Sequence, residues 1–351
     1  MKVRLVNVNY SEVLADIEYR HSSQAHADGS MRAQFNTSFH TEREAPDLPA
    51  VPSEKPYSFK SWLPLILRSR GLTSEDSQVV RFSLAQTRLL LRVAEASLPS
   101  GSINRIYREE VDEIVPAFKS LTFPPEGLFM RLEACSAKDG VHKIPGNSAL
   151  RSVEEILLLL LTSRRAHNAL TNDLESDAKT FELFFTPWNG RMRTDREYRV
   201  FCPPFTSPDS LHISVTSQYQ WHKQWLFHAA PNELRNQAVD KIAGGSDEIR
   251  KQITAVLDVE DEMDSLLMRQ GLTFDVFFDE ERDLVQLVEL NVFGVRSACG
   301  SCLFQWIRDR EILEGHGKPG DVEFRVTYQE AGDHNRLSSS STKKNEEEQG
   351  R

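Results

Sequence analysis

Over residues 272–291 two apolar runs flank an acidic turn, and three oxygen-bearing side chains stand where a packed strand pair has no use for them. The first run reads Leu272-Thr273-Phe274-Asp275-Val276-Phe277-Phe278, and the second Leu284-Val285-Gln286-Leu287-Val288-Glu289-Leu290-Asn291. Successive strand side chains point to opposite faces. Phe274, Val276, Phe278, Val288 and Leu290 therefore fall on one face, and Asp275, Glu289 and Asn291 on the other. With a turn over residues 279–283, Asp275 comes opposite Leu287, one diagonal step from Glu289. Two readings stand. The polar residues form a sheet face turned to water, or they converge as hard oxygen donors for a cation such as magnesium, which takes few carboxylates together with substrate phosphates.

A chain of 351 residues can bury a substantial core as one large or two smaller domains. Its 39% hydrophobic and 27% charged content fits an ordinary soluble protein. A formal net charge of -10 argues against a general nucleic-acid coat and says nothing against small anionic ligands, which respond to local fields. The four cysteines (Cys135, Cys202, Cys299 and Cys302) do not make a disulfide scaffold in a chain this long. Residues 1–10 lack the sustained apolar stretch of a secretory signal, and the longest apolar run, 156–161, is too short to span a membrane. The expectation is a reduced, cytoplasmic protein with no membrane and no nucleic-acid partner.

Residues 1–10 alternate as a short strand, and residues 21–56, rich in Ser, Ala, His, Glu and Pro, read as a loop. Residues 77–96 suit either a helix or a strand–helix pair, which periodicity alone does not resolve. A helix is expected at the start of 111–121 and a strand over 128–133. Ser152 and Glu155 sit at capping-box positions before a long apolar helix. Strands follow over 180–185, 198–202 and 211–217. Residues 231–269 hold one or two helices broken at Gly244-Gly245, the hairpin comes next, and a helix is expected over 301–313. From Asp333 onward the composition predicts disorder. Helices mixed with non-alternating apolar strands and a polar-faced hairpin indicate α+β rather than a doubly wound sheet.

Basic residues in the middle third are natural partners of the late acidic cluster. Arg131 alternates with Met130 and Leu132 on the 128–133 strand, and Lys138 follows in the next loop. Such residues suit phosphate oxygens, Arg bidentately and Lys as a point charge, and equally suit a solvated surface. Arg199 lies among the apolar residues of Glu197-Tyr198-Arg199-Val200-Phe201 and so needs a nearby partner, in a structural ion pair or a ligand contact. Cys299 and Cys302 have CxxC spacing without a complementary histidine pair. No Walker A loop, GxGxxG or nucleophile elbow is present, so a nucleotide, if bound, is not held by a glycine-rich P-loop.

Taken in order over residues 57–306, these segments resemble the cell division cycle protein 123 family, a eukaryotic branch of the ATP-grasp fold. Ser58-Phe59-Lys60-Ser61-Trp62 is similar to the family's early aromatic–Ser–Trp segment. Phe129-Met130-Arg131-Leu132-Glu133 and Ser136-Ala137-Lys138-Asp139 resemble its strand and phosphate-side loop. Phe181-Glu182-Leu183-Phe184-Phe185-Thr186-Pro187-Trp188 resembles the strand leading into the adenine hinge. Glu197-Tyr198-Arg199-Val200-Phe201, Ser217-Gln218, Phe274-Asp275-Val276, Glu289-Leu290-Asn291-Val292-Phe293-Gly294 and Leu303-Phe304-Gln305-Trp306 resemble the later strands and closing signature. The resemblance implies ATP between two α+β subdomains, about 57–180 and 181–330, preceded by an N-terminal segment, 1–56. Its ATP-side residues here are Arg131, Lys138, Phe185, Thr186, Trp188, Arg199, Asp275, Glu289 and Asn291, with Mg2+ on Asp275, Glu289 and Asn291. The family's role, cytosolic assembly of translation initiation factor 2 through its gamma subunit, is implied with it.

The chain departs from the family pattern in several places. Arg131 replaces a lysine, Glu133-Ala134 an Asn-Trp, Thr186-Pro187 an Arg-Lys pair, Tyr219-Gln220 an Arg-Asp, and Glu289 an aspartate. A Glu-x-Asn ending is common in ATP-grasp ligases. A second functional expectation is therefore an ATP-dependent carboxylate–amine ligase working through an acyl phosphate. Its small-molecule carboxylate would be clamped by Arg191, Arg193 and Arg196, and metal-bridged phosphates would stabilise the transferring group.

Overall fold

The computed structural model describes residues 2–22, 33–47, 51–175, 180–316 and 321–329. The chain divides into two compact units, Met1–Ser53 with Arg193–Arg351, and Glu54–Met192. The boundary between the units falls between Met192 and Arg193, and residues 1–53 of the expected N-terminal segment belong to the first unit. The disordered tail expected from Asp333 lies outside the described residues.

In the second unit the 77–96 stretch resolves into a strand, β2 (Gln78–Ser83), followed by a helix, α3 (Leu84–Ser97). Ser83 decides the switch. Its hydroxyl accepts the Gln86 amide, and the Gln86 side chain returns to the Ser83 amide, so a full capping box starts the helix inside an apolar run. Strand β4 (Thr180–Pro187) lies between β2 and β3 (Leu128–Leu132) in an antiparallel three-stranded sheet. Helices α5 (Val153–Leu161) and α6 (Arg164–Glu175) join α3 over one face, where Phe82, Leu90, Leu132, Ile156, Leu160, Leu183 and Phe185 are buried in one core. Ser152 caps α5 as expected, but Glu155 accepts the Arg151 amide instead of the Ser152 amide, so only half of the capping box forms. On the opposite face Phe184 meets Phe59 at the start of α2 (Phe59–Ser69), ring centroids 5.7 Å apart. There the buried Glu182 carboxylate bridges Lys60 and Arg81, each at 2.7 Å.

The first unit is built on a six-stranded mixed sheet in the order β1-β9-β6-β5-β7-β8. Its strands are β1 (Lys2–Asn9), β5 (Glu197–Cys202), β6 (Val215–Gln218), β7 (Leu272–Asp279), β8 (Leu284–Val292) and β9 (Asp321–Tyr328). Strand β9 was not expected from the sequence. It pairs in parallel with both β1 and β6, and its alternation of Val322, Phe324 and Val326 with Glu323, Arg325 and Thr327 is the signal that marks it. The strand expected from residue 211 begins only at Val215.

Helix α7 (Asn232–Thr254) runs without a break through Gly244-Gly245. The break predicted there does not occur because Gly245 serves close packing: a β-carbon at that position would collide with the Val285 side chain on β8. At 23 residues the helix contacts both edge strands, β8 and β1. Its length, roughly 34 Å, exceeds the roughly 24 Å covered by five inter-strand gaps.

The helix expected over 301–313 is reduced to a single turn, Arg310–Leu313. Side chains take the backbone groups that a helix would need. Gln305 Oε1 accepts the amides of Ile307 and Arg308, Asp309 Oδ2 accepts the Gln305 amide, and Ser217 Oγ accepts the Leu303 amide. The segment at 33–47 lies along this irregular stretch. Asn36, Phe39 and His40 donate amides to the carbonyls of Cys302, Ser297 and Val295.

Candidate functional site

The late hairpin is in place, but its register differs from simple alternation. A β-bulge between Asp275 and Val276 pairs Val276 with Leu287 and Asp275 directly with Glu289. Val288 is the extra residue. It stays half-buried, while Leu287 takes the place on the apolar face assigned to Val288 from alternation. The turn covers residues 280–283 and ends on Asp283 in the left-handed region, φ 55°. Every residue of β7 is buried, so the reading of a water-facing sheet face is incorrect for this strand.

The bulge completes a row of polar residues across five strands: Arg325 on β9, Ser217 on β6, Arg199 on β5, Asp275 on β7 and Glu289 on β8 are successive register partners. Arg199 and Asp275 form a bidentate pair, Nε to Oδ1 at 2.8 Å and Nη2 to Oδ2 at 2.7 Å, with only 6% and 1% of their surfaces exposed. The third guanidinium nitrogen donates to the Gly300 carbonyl at 2.7 Å, and the guanidinium lies 5.0 Å from the Tyr219 ring centroid. Asn291, opposite Thr273, donates its Nδ2 to Asp275 Oδ2 at 3.4 Å. Thr273 Oγ1 sits 3.1 Å from Cys299 Sγ.

Burial pushes the Asp275 carboxyl up from its ordinary value, and the charge and hydrogen bonding of Glu289 add to the rise, while Arg199 opposes it. Burial also works against the Arg199 charge, but the Asp275 carboxylate outweighs it and holds the guanidinium firmly protonated. The Cys302 thiol, buried like that of Cys299, is pushed up to about 12 by burial, which makes both cysteines poor thiolates at neutral pH. One cation and two carboxyl groups leave the cluster with a formal charge of −1 when all are ionised. A divalent cation would relieve the crowding of Asp275 and Glu289. The donors suit such an ion: a half-buried carboxylate on Glu289, a half-buried amide on Asn291, and lone pairs of Asp275 beyond those used by Arg199. Among the described residues no group of three or more His, Cys, Asp or Glu side chains is arranged for a metal ion, so a cation here relies on the amide and on ligand oxygens.

The remaining nucleotide-side candidates belong to the second unit. Arg131 on β3 lies over the Phe59 ring, 4.9 Å from its centroid, and Lys138 is exposed in the following loop. Phe185 is fully buried in the core of that unit, so its side chain is a packing residue and only its backbone could meet a ligand. Thr186 Oγ1 is buried with no hydrogen-bond partner among the described residues. Trp188 is half-buried, its amide on the Gly127 carbonyl and its ring 6.5 Å from Phe129. Of the arginines proposed as a carboxylate clamp, Arg193 pairs with Asp195 and Arg196 with Glu280, so both charges are already answered. Sequence reasoning missed Thr273, Gly300 and Arg325 and did not place Tyr219 against Arg199, because these roles depend on tertiary contacts.

The two units and this polar row define an α+β protein with one mixed and one antiparallel sheet, the first carrying a buried ion pair beside oxygen donors. No family model matches the sequence, and no curated protein does. Among solved structures the chain is similar to Cdc123 from Schizosaccharomyces pombe, with a TM-score of 0.52 and 19% identity over 79% of this chain and 99% of that one. A C-terminally truncated Cdc123 from the same organism matches with a TM-score of 0.52 and 19% identity over 78% and 99%. The fold is that of Cdc123. No helix among the described residues is long and apolar enough to cross a membrane.

Proposed function

We propose that this chain is a divergent Cdc123-like ATP-grasp protein that binds Mg-ATP and acts as an assembly factor, with the gamma subunit of translation initiation factor 2 as its partner. The observation that carries the reading is the bulge that sets Glu289 beside Asp275, with Asn291 two residues further along the same strand. Magnesium would take Glu289, Asn291 and the remaining lone pairs of Asp275, and supply charge to bridge triphosphate oxygens. The pairing with Arg199 gives Asp275 a fixed orientation before any ligand arrives. Arg131 and Lys138 are the phosphate-side cations that the family resemblance assigns, with Thr186 and Trp188 beside the nucleotide base. In this reading the nucleotide orders a partner-binding surface. The partner itself rests on the family resemblance, which the shared fold supports.

The alternative, carboxylate–amine ligation, loses support at the clamp, since Arg193 and Arg196 are paired locally. The test is a thermal melt with millimolar Mg-ATP. A rise in melting temperature is expected in the parent chain, and its loss is expected in Glu289→Gln and Asn291→Ala. An unchanged melt in the parent would overturn nucleotide binding. Capture of the purified gamma subunit that strengthens with Mg-ATP would support the assembly role, whereas phosphate release requiring both a carboxylate and an amine would favour the ligase.

A further inference from the structure

A cavity of about 540 Å³ lies wholly within the first unit, walled by residues outside the polar row described above. Its floor is apolar: Phe293, Val295, Trp306 and Leu313 are all buried. Trp306 offers no donor to it, because Nε1 is spent on the Cys299 carbonyl at 3.0 Å. Pro203 and Pro204 form one side and carry no amide hydrogen. On another side Val51 and Pro52 are held in place by an amide clamp. The Ser53 amide donates to Gln270 Oε1 at 2.8 Å, and Gln270 Nε2 donates back to the Ser53 carbonyl at 2.9 Å.

Against this apolar body stand three arginines, Arg269, Arg296 and Arg310, with Glu314 the lining carboxylate. Glu314 is already engaged by Arg310 Nε at 2.8 Å, and Arg310 Nη1 reaches Asp47 at the same distance. Arg296 spends Nη2 on the Ala45 carbonyl, and its buried Nε has no hydrogen-bond partner among the described residues, which leaves the other terminal nitrogen to face the cavity. Arg269, at the end of helix α8 (Glu262–Gln270), makes no ion pair among the described residues. Two guanidinium groups therefore retain donors at the edge of an apolar space of the size that holds a small organic molecule. A guanidinium donor at the edge of an apolar space is best satisfied by an anionic oxygen.

We infer that this cavity is a second ligand site, separate from the proposed Mg-ATP site, for a small organic anion whose apolar or aromatic body rests on Trp306 and Phe293 while its carboxylate or phosphate meets Arg269 and Arg296. The test uses the full chain and calorimetric titration with 1-naphthyl phosphate, 1-naphthoate and the neutral 1-naphthalenemethanol. At least one anion is expected to bind, and the one that binds more tightly identifies the head group. The neutral analogue is expected to bind at least about tenfold more weakly, as the loss of one charged hydrogen bond implies. Arg269→Gln and Arg296→Gln are each expected to weaken the anion by about tenfold or more while the melting temperature without ligand stays near that of the parent. Saturating Mg-ATP is expected to leave the anion's affinity unchanged, which separates this site from the nucleotide reading. Absence of binding by both anions, or binding that neither arginine variant alters, would overturn the inference. So would inorganic phosphate binding as tightly as the naphthyl ester, since the apolar floor would then contribute nothing.

Discussion

Replacing Asp275 by alanine would leave the Arg199 guanidinium buried without its counter-charge, and the cost follows from the geometry around it. Two short hydrogen bonds, 2.8 and 2.7 Å, are lost from a pair that is almost wholly excluded from water. Breaking a buried pair from one side costs about 3–5 kcal/mol. Arg199 keeps the Gly300 carbonyl and the Tyr219 ring, so the lower end applies, about 3 kcal/mol. Arg199→Met should have a pH-dependent cost. Without the guanidinium, burial and Glu289 raise the Asp275 carboxyl unopposed. A carboxyl raised in the folded state favours folding at low pH and loses that contribution as pH rises through its folded value. The Arg199→Met penalty should therefore be smaller near pH 5 than near pH 7. The double variant Arg199→Met/Asp275→Leu removes both charges and should cost well below the sum of the single changes. Hydrogen exchange resolved to β5 and β7, with urea unfolding as the overall measure, reports the unit concerned. An Asp275→Ala cost under about 1 kcal/mol, or a double variant that simply adds the single costs, would refute this account of the pair. The same reasoning makes Asp275→Ala a poor probe of metal binding, and Glu289→Gln and Asn291→Ala the informative ones.

The glycine pair in α7 makes a sharper packing test. Gly245→Ala should destabilise by about 1–3 kcal/mol through collision with Val285, whereas Gly244→Ala, with open space around its β-carbon, should stabilise by roughly 0.5–1 kcal/mol in the same denaturation assay. In the second unit burial would raise the Glu182 carboxyl, but hydrogen bonds from Lys60 and Arg81 outweigh it and hold it below its ordinary 4.5. That contribution is present above pH 4.5 and is lost as pH falls through the lower folded value. Glu182→Gln should flatten this part of the acid dependence of hydrogen exchange in β2 and β4, and an unchanged slope would remove the pair from the account.

The sequence by itself determined the elements whose signals are local. Apolar runs located β3, β4, β5 and the hairpin, and Ser152 marked the start of α5. Chemistry alone also showed that Arg199 needed a partner inside an apolar strand, because a buried guanidinium is intolerable without one. What tertiary structure decided was which partner and which register. The one-residue bulge turned Asp275 and Glu289 from diagonal neighbours into a direct pair, and no periodicity announces a bulge. Gly244-Gly245 reads locally as a helix breaker, yet contact with Val285 on a distant strand makes Gly245 a packing residue in an unbroken helix. The helix expected over 301–313 was overridden by side chains from its own loop and from Ser217, brought together only by the fold. Local propensity set the pieces, while long-range pairing set the polar row from Arg325 to Glu289, because register across five strands is fixed by contacts between residues remote in the chain.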